Sequence, residues 1–439
     1  MRSASSSLAE GTKRFKYINF NMKLQKKITI LFFYLIFIIY SLEILTKIFI
    51  KNNEDLITTN MDELRKIEIT KIKDFDVRND YEAFEEEKKT RDIHPSFRLS
   101  INTINKNDEI SKFLKHKILK KNKIPFRGPI NKLSLGDNED GIREIISNDK
   151  YGFKNLNEVY QKEIDAMIVG DSFAEGIPFD NENSVSGLIN INSKFNSINY
   201  GVSGTGPLNS LGVISEYGKY FKPKKVFYFF YEGNDLYDLL EEKETFLINY
   251  LERSYSQNLY KSNEQIENFL NEYENIFYKI LPMMIKKNKN KNTIDIDINI
   301  NNQHRLVEHL KDIAELQNLK RVLIPKDAYY SKDKKLDHLL FEKSILEMKN
   351  RVNSWEGEFY LVFLPSWTRY NNFFSLSDKY KKRHIIKIVE NNNLKFIDMD
   401  KIFRNNQMDT LNLFNLGIYG HYNKKGYKLI ADTIIKKLL

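Results

Sequence analysis

The sequence contains no cysteine among its 439 residues. Disulfide bonds, thiolate metal sites, a cysteine nucleophile and a lipid-bearing cysteine are therefore excluded. A chain without thiols suits reducing and oxidising compartments alike, so the absence of cysteine does not locate the protein.

Several familiar binding signatures are also absent. The chain has no Walker loop and no glycine fingerprint for dinucleotides, and its histidines show no metal-ligand spacing with neighbouring carboxylates. The net charge of +10 would suit nucleic acid or an anionic membrane. The basic residues, however, are spread along the chain and form no block with interleaved aromatic residues. We therefore expect no cofactor, no metal and no nucleic-acid partner.

One long apolar run lies near the N-terminus, at residues 28–50, "ITILFFYLIFIIYSLEILTKIFI". A helix of that length can cross a hydrocarbon core of about 30 Å. Lysine and arginine residues precede the run, so the positive-inside rule predicts a cytoplasmic N-terminus and an exported remainder. No small-residue cleavage site follows it, which favours an uncleaved anchor over a signal peptide. A buried core helix is the alternative.

These features predict four segments. Residues 1–27 are expected to be a cytoplasmic tail, and residues 28–50 a transmembrane helix. Residues 51–150 are charged, weakly periodic and interrupted by prolines, and we interpret them as a membrane-proximal stalk that wraps onto the main domain. Residues 151–439 are predicted to form that main domain.

From about residue 160, short apolar runs alternate with helical segments. The candidate strands are residues 164–170, 195–202, 224–233, 357–365 and 394–399, with 320–325 as either a strand or a helix end. The candidate helices are residues 184–192, 207–221, 376–391 and 423–438. Strands that alternate with helices predict an α/β fold, in which helices cover both faces of a central parallel sheet.

Residues 236–318 interrupt this alternation. They contain charged helical segments followed by a low-complexity tract, "KKNKNKNTIDIDININNQ", at residues 286–303. An insertion after the third strand of an open α/β sheet lies near the carboxyl ends of the strands, where ligands bind. We therefore interpret the insertion either as a substrate lid or as a variable surface elaboration.

Four short motifs follow one another along the chain, three of them just after predicted strands. They are "VGDSFAEG" with Ser172, "NYGVSGTGP" with Gly204, "YEGNDL" with Asn234 and "YGHYNKKGYKLIAD" with His421. At these residues, across roughly residues 150–439, the chain resembles the SGNH or GDSL hydrolases, a family named after Ser, Gly, Asn and His in four blocks. The run from "DKYGF" to "FYFFYEGNDLYDL" also resembles a bacterial membrane-anchored subgroup. The resemblance implies a flavodoxin-like, three-layer α/β/α fold.

The resemblance implies a role for each of these residues. Ser172 is the expected nucleophile, at a helix N-terminus whose free N–H groups favour negative charge. The backbone N–H groups of Ser172 and Gly204 and the amide of Asn234 are the expected oxyanion hole. His421 is the expected general base and then general acid, and Asp171 is expected to brace the turn.

Each residue also has a purely structural interpretation. Ser172 would cap a helix, Gly204 would serve a turn, Asn234 would be a turn or cap residue, and His421 would be a surface histidine. The agreement of four motifs in the family's order favours the catalytic interpretation.

One position departs from the family pattern. The family has an aspartate three residues before the histidine, and this chain has Ile418 there. The group that orients His421 is therefore open among a backbone carbonyl, Asp409 and a carboxylate from another segment.

We expect a serine esterase that hydrolyses an acyl ester, with an acylated cell-envelope carbohydrate as substrate and a single-pass anchor in a bacterial inner membrane. The catalytic domain is then periplasmic. An O-acyltransferase that modifies surface polysaccharide would use the same residues, with a sugar hydroxyl attacking in place of water. The third hypothesis is a non-catalytic envelope protein that binds or exports glycans, and the missing acid at position 418 supports it.

Overall fold

The computed structural model describes residues 25–46, 48, 69–100, 108–121, 123–292, 316, 336–371, 376–406, 409–417 and 420–439. The chain divides into two compact units. One comprises Met1–Thr58 with Asp297–Tyr329, and the other comprises Thr59–Ile296 with Tyr330–Leu439. The first unit is described mainly through one N-terminal helix, and the second contains the sheets and the candidate site.

Helix α1, Gln25–Thr46, has 22 residues and is long and apolar enough to cross a membrane. Its large apolar side chains are exposed, with Phe33 at 64% and Phe37 at 69%. The helix begins three residues before the predicted membrane segment, 28–50, whose last residues lie partly outside the described range. This exposure argues against a buried core helix, whereas a signal sequence shares the same length and composition.

The described strands of the second unit form three sheets. The strands are β1 Ile93–His94, β2 Phe97–Arg98, β3 Arg127–Gly128, β4 Leu133–Leu135, β5 Ile145–Ser147, β6 Ala166–Gly170, β7 Ser197–Gly201, β8 Lys225–Tyr231, β9 Glu358–Leu364 and β10 Lys395–Asp398. The last five form a parallel sheet in the order β10-β9-β8-β6-β7. Strands β1, β4 and β5 form a second sheet, and β2 pairs with β3.

Numbered along the chain, the large sheet has the strand order 2-1-3-4-5, which is the order of flavodoxin-like folds. The predicted α/β fold with a central parallel sheet is therefore confirmed. Five of the candidate strands coincide with β6 to β10, and the sixth, 320–325, lies outside the described residues.

The helices of the second unit lie mostly between these strands. They are α2 Asp80–Glu87, α3 Glu109–Leu119, α4 Ser172–Glu175, α5 Val185–Asn192, α6 Pro207–Val213, α7 Lys219–Phe221, α8 Asp235–Glu242, α9 Asn263–Asn292, α10 His338–Asn353, α11 Thr368–Asn371, α12 Leu376–Asn391, α13 Met399–Arg404 and α14 Lys424–Leu438. A π-helical turn, Ile214–Gly218, joins α6 to α7. All four candidate helices have a counterpart here, in α5, α6 with α7, α12 and α14.

Alternate side chains of β8 enter two different cores. Val226, Tyr228 and Phe230 pack in one cluster with residues of α6 and α10. Phe227 and Phe229 pack in the other with residues of α5 and α14. Helices therefore cover both faces of the sheet, and burial on both faces explains why β8 is a continuous apolar run.

The segment that precedes the large sheet packs into the same core. Phe97, Leu99 and Phe126 are at most 1% exposed and belong to the cluster of α6 and α10. Helix α2 contacts α9 through the rings of Phe84 and Phe277, whose centroids are 5.2 Å apart. From residue 69 onward, the described part of this segment is therefore an integral part of the domain.

The interruption predicted at 236–318 is described as far as residue 292. Its first helix, α8, buries Leu236 and Leu239, and its long helix, α9, buries Phe269 in the same cluster. These two helices are thus built into the core, and α9 also lines a cavity next to the candidate site.

Candidate active site

The end of β6 brings Ser172 into a tight turn. Gly170 ends the strand at φ +147, and a Cβ there would lie 2.7 Å from the carbonyl oxygen of Phe229. Asp171 caps α4, because its carboxylate accepts the Phe173 N–H at 2.9 Å. Ser172 is the first residue of α4, at the carboxyl end of the strand, as the sequence predicts. Since α4 has a single turn, it offers free N–H groups rather than a large dipole.

Ser172 and His421 are in hydrogen-bond contact. The Ser172 Oγ lies 2.6 Å from His421 Nε2, although 249 residues separate the two in sequence. With Nδ1 carrying the proton of the neutral ring, Nε2 accepts the hydrogen bond from the serine hydroxyl. The structure therefore places the hydroxyl beside a base that can remove its proton.

Glu139 supplies the carboxylate that the sequence left open. Its Oε1 lies 2.6 Å from His421 Nδ1, and its Oε2 accepts hydrogen bonds from the His421 N–H at 3.0 Å and from Asn415 Nδ2 at 3.1 Å. Glu139 lies in the loop between β4 and β5. Ile418 lies outside the described residues, and Asp409 caps a short turn by accepting the Leu411 N–H.

Gly420 makes room for this contact. Its φ is +98, and a Cβ on it would lie 2.9 Å from Glu139 Oε2. A glycine at this position therefore allows both the left-handed backbone and the close approach of the carboxylate.

Because Glu139 and His421 interact, the pKa of Glu139 is lowered and the pKa of His421 is raised. Both shifts favour the charged form of the side chain. Burial raises the pKa of Glu139, but the charge and hydrogen bonds of His421 outweigh burial and bring it to about 2. Burial lowers the pKa of His421, but the Glu139 carboxylate outweighs this and raises it above 6.5. Glu139 is therefore ionised at neutral pH and can stabilise the imidazolium that forms when His421 takes a proton.

Gly204 and Asn234 line the same cavity as Ser172 and His421. This cavity has a volume of about 670 Å³. Gly204, at φ +71, follows β7, and Asn234 follows β8, so both come from strands that flank β6. The four residues of the motifs are thus brought to one edge of the sheet.

The amide of Asn234 has a partner that the sequence did not indicate. Its Nδ2 donates to Asp238 Oδ2 at 2.8 Å, while its Oδ1 has no hydrogen-bond partner among the residues described. Burial raises the pKa of Asp238 to about 8 and that of Asp171, next to the same site, to about 6. A hydrogen bond from the Asn234 side chain also lowers the pKa of Asp171, against the larger effect of burial.

A buried carboxylate holds the loop that carries Gly204. Glu175 is 1% exposed, and its Oε2 accepts the N–H of Ser203 at 2.9 Å and the hydroxyl of Ser203 at 2.7 Å. Its Oε1 accepts from the fully buried Arg127 at 2.8 Å and lies 3.3 Å from Arg98. Burial would raise the pKa of Glu175, but these arginines hold it well below its usual range. Glu175 therefore links the turn that carries Ser172 to Ser203, the residue before Gly204.

Arg98 extends this network of charged side chains toward the loop of Glu139. Its guanidinium donates to Asp137 Oδ2 at 3.1 Å, two residues before Glu139. The loop of Glu139, the turn of Ser172 and the loop of Gly204 are therefore joined by ionised side chains. Glu139, Arg98 and Glu175 were not among the residues predicted from the sequence. Glu175 alone had a local signal, since it lies three residues after Ser172 within "GDSFAEG".

The remaining wall of the cavity is mixed, with the apolar side chains of Ile69, Phe75, Val77 and Ile177 beside charged ones. It includes side chains from the segment before the large sheet: Asp76, Arg78, Asp80, Arg98, Asp137, Asn138 and Arg143. Several of them pair with one another, as Arg143 does with Asp80 at 2.6 Å and with Asp76 at 3.3 Å. The site therefore opens onto charged, hydrogen-bonding groups of both signs that stand beside apolar side chains.

Comparison with known proteins finds distant structural similarity only. No family model and no curated protein matches the chain. A solved lipolytic protein of the G-D-S-L family from Desulfitobacterium hafniense is 14% identical, with a TM-score of 0.34 over 63% of this chain and 99% of that one. A protein of the same description from Veillonella parvula is 11% identical, with a TM-score of 0.32 over 62% and 96%. The acetyl xylan esterase AlAXEase is 12% identical, with a TM-score of 0.33 over 62% and 100%.

Proposed function

We propose that the protein is a serine hydrolase that cleaves a carboxylic ester through an acyl-Ser172 intermediate. One observation carries the proposal: Ser172 Oγ, His421 and Glu139 form a continuous chain with two contacts of 2.6 Å. A helix cap needs no such chain, and a surface histidine would not lie between a serine and a half-buried carboxylate.

Each of these residues has its own role in the reaction. His421 Nε2 takes the hydroxyl proton while Ser172 Oγ attacks the ester carbonyl carbon, and Glu139 stabilises the imidazolium. The N–H groups of Ser172 and Gly204 and the Asn234 amide bind the oxyanion, each donor being worth about 3 kcal/mol in the transition state. His421 then gives its proton to the departing alcohol. A water molecule, deprotonated by His421, then attacks the acyl carbon. The bond between that carbon and Ser172 Oγ breaks, and His421 returns the proton to Oγ as the acid leaves.

We further propose that the substrate is an acylated carbohydrate of the cell envelope. The charged and hydrogen-bonding side chains in the wall of the catalytic cavity, such as Arg78 and Asn138, support a hydroxyl-rich alcohol. Helix α1 would serve as an uncleaved anchor in a bacterial inner membrane, with a cytoplasmic N-terminus and a periplasmic catalytic domain. Residues 1–27 would then form the cytoplasmic tail.

The two other hypotheses are less well supported. A non-catalytic glycan-binding protein was suggested by the missing acid at position 418, and Glu139 now provides a carboxylate at His421. An O-acyltransferase would use the same residues, and no feature of the described residues favours a sugar hydroxyl over water.

The test is ester turnover by the full chain purified in detergent. We expect hydrolysis of p-nitrophenyl acetate and labelling of Ser172 by a fluorophosphonate, with both lost in Ser172→Ala. His421→Ala should lose turnover. Ser193→Ala, on the hydroxyl that donates to Ile189 O at the end of α5, is the matched control and should behave as wild type. Turnover that survives in Ser172→Ala, or a serine that no probe labels, would refute the proposal.

A further inference from the structure

A second cavity of about 690 Å³ adjoins the catalytic one. The two share five lining residues: Asp80, Arg98, Asp137, Ser203 and Gly204. Since Gly204 carries a proposed oxyanion donor, the second cavity begins at the point where the carbonyl oxygen of a bound ester would lie.

The second cavity has a larger apolar share of wall than the first, although Asp80, Arg98, Asp108, Glu109 and Asp137 also line it. Its walls come from α2, α3, β4 and α9, through Tyr81, Ile110, Leu135, Phe277, Ile280 and Met284. The rings of Tyr81 and Phe277 stack, with centroids 6.1 Å apart and planes at 26°. Ring packing between α2 and α9 gives this wall a fixed shape. Moving hydrocarbon from water onto such a surface lowers its free energy.

The position of the catalytic groups decides which part of the ester enters it. His421 lines the catalytic cavity and is not among the residues of the second one, whereas Gly204 lines both. The departing alcohol must receive its proton from His421, so the alcohol lies in the catalytic cavity. With the carbonyl oxygen at Gly204, the acyl chain is the part that can extend into the second cavity.

We propose that this second cavity binds the acyl chain of the substrate, a linear hydrocarbon chain several carbons longer than acetyl. The inference rests on the proposed esterase function and adds the class of acyl group. It assigns Met284, Ile280 and Phe277 of α9 to acyl-chain specificity.

The expected effect is a rise in kcat/KM with chain length. Each methylene group that leaves water for an apolar wall is worth about 0.8 kcal/mol, or about fourfold in kcat/KM. Partial burial of six added methylene groups should therefore raise kcat/KM at least tenfold between acetyl and octanoyl esters. The full chain in detergent is assayed with p-nitrophenyl acetate, butyrate, hexanoate and octanoate.

Two variants fill the cavity from α9. Met284→Trp adds bulk at the wall and should lower the ratio of the octanoate rate to the acetate rate at least fivefold. Met283→Trp does the same from a side chain that is 61% exposed, so it should fold normally even if the first variant does not. Lys279→Trp places the same ring on an exposed position of α9 outside the cavity and is the matched control.

A comparison of two further esters shows whether the second cavity binds the acyl chain or the alcohol. Methyl octanoate carries the hydrocarbon in the acyl group, and octyl acetate carries it in the alcohol. Faster hydrolysis of methyl octanoate supports the inference. Faster hydrolysis of octyl acetate overturns it, as does an acetate rate equal to or above the octanoate rate while Ser172 is still labelled. Absence of turnover and of Ser172 labelling would instead remove the proposed function, and the inference with it.

Discussion

Replacing Glu139 with glutamine removes the charge beside His421 and leaves the size of the side chain unchanged. The Glu139 and His421 side chains are 24% and 18% exposed, so water screens the pair only in part. Two unit charges about 4 Å apart interact by about 4 kcal/mol at an effective dielectric constant of about 20. Losing most of this stabilisation of the imidazolium should lower kcat/KM by about 10²- to 10³-fold.

The same variant should move the pH profile in a definite direction. Only neutral His421 can accept the serine proton, so kcat/KM of the wild type rises with pH, with its midpoint above pH 6.5 because Glu139 raises the pKa of His421. Glu139→Gln removes the negative charge that raises the pKa of His421. Burial remains, and it lowers the pKa of His421. The midpoint should therefore fall below that of the wild type.

The assay is kcat/KM for p-nitrophenyl acetate between pH 5 and 9, with thermal unfolding to confirm folding. Glu139→Asp keeps the charge on a side chain one methylene shorter. It should lose less activity than Glu139→Gln and keep a midpoint closer to that of the wild type. If Glu139→Gln stays within about threefold of the wild type with an unchanged midpoint, the role of Glu139 is wrong.

Three further predictions follow from contacts around the site. Glu175→Gln leaves a fully buried arginine without its counter-charge, and should lower the free energy of unfolding in denaturant by about 3 kcal/mol or more. Gly420→Ala should lower kcat at least tenfold by pressing a methyl group against Glu139. Gly417→Ala is its control, because it has a similar φ of +70 but a Cβ there would meet only Asn412 Oδ1, at 3.5 Å. Burial raises the pKa of Glu242 from 4.5 to about 7, so its stabilising effect is complete below pH 4.5 and is lost as pH rises through 7. The wild type should therefore lose about 3 kcal/mol relative to Glu242→Gln between pH 4.5 and 8 in unfolding experiments.

Each of these has a result that would contradict it. If Glu175→Gln is as stable as the wild type, water must solvate the charge of Arg127 in place of the Glu175 carboxylate. Equal kcat losses in Gly417→Ala and Gly420→Ala would point to backbone strain alone. A difference between wild type and Glu242→Gln that does not vary with pH would show that Glu242 does not titrate in this range.

The strand and helix pattern could be predicted because the residue pattern that indicates it is local. β8 is apolar throughout because both of its faces are buried, and Pro207 begins α6 at a position where a missing N–H costs nothing. The same holds for Ser172, whose place after β6 is set by the adjacent Gly170 and Asp171. Residues in the next turn or on the same strand determine each of these features.

The less periodic parts of the chain could not be interpreted in this way. Phe97 and Phe126 lie in short, irregular stretches, and only their burial against the large sheet shows that they belong to the core. The two-residue strands β2 and β3 have no periodicity to detect.

The sequence by itself determined the sheet, the order of the four motifs and the position of Ser172 at the end of a strand. Only the tertiary structure decided which acid serves His421. Glu139 and His421 are 282 residues apart, and their loops meet because the segment before the sheet folds over the carboxyl ends of its strands. No local pattern of residues encodes such a contact, because its energy comes from the burial and pairing of side chains that are distant in the sequence.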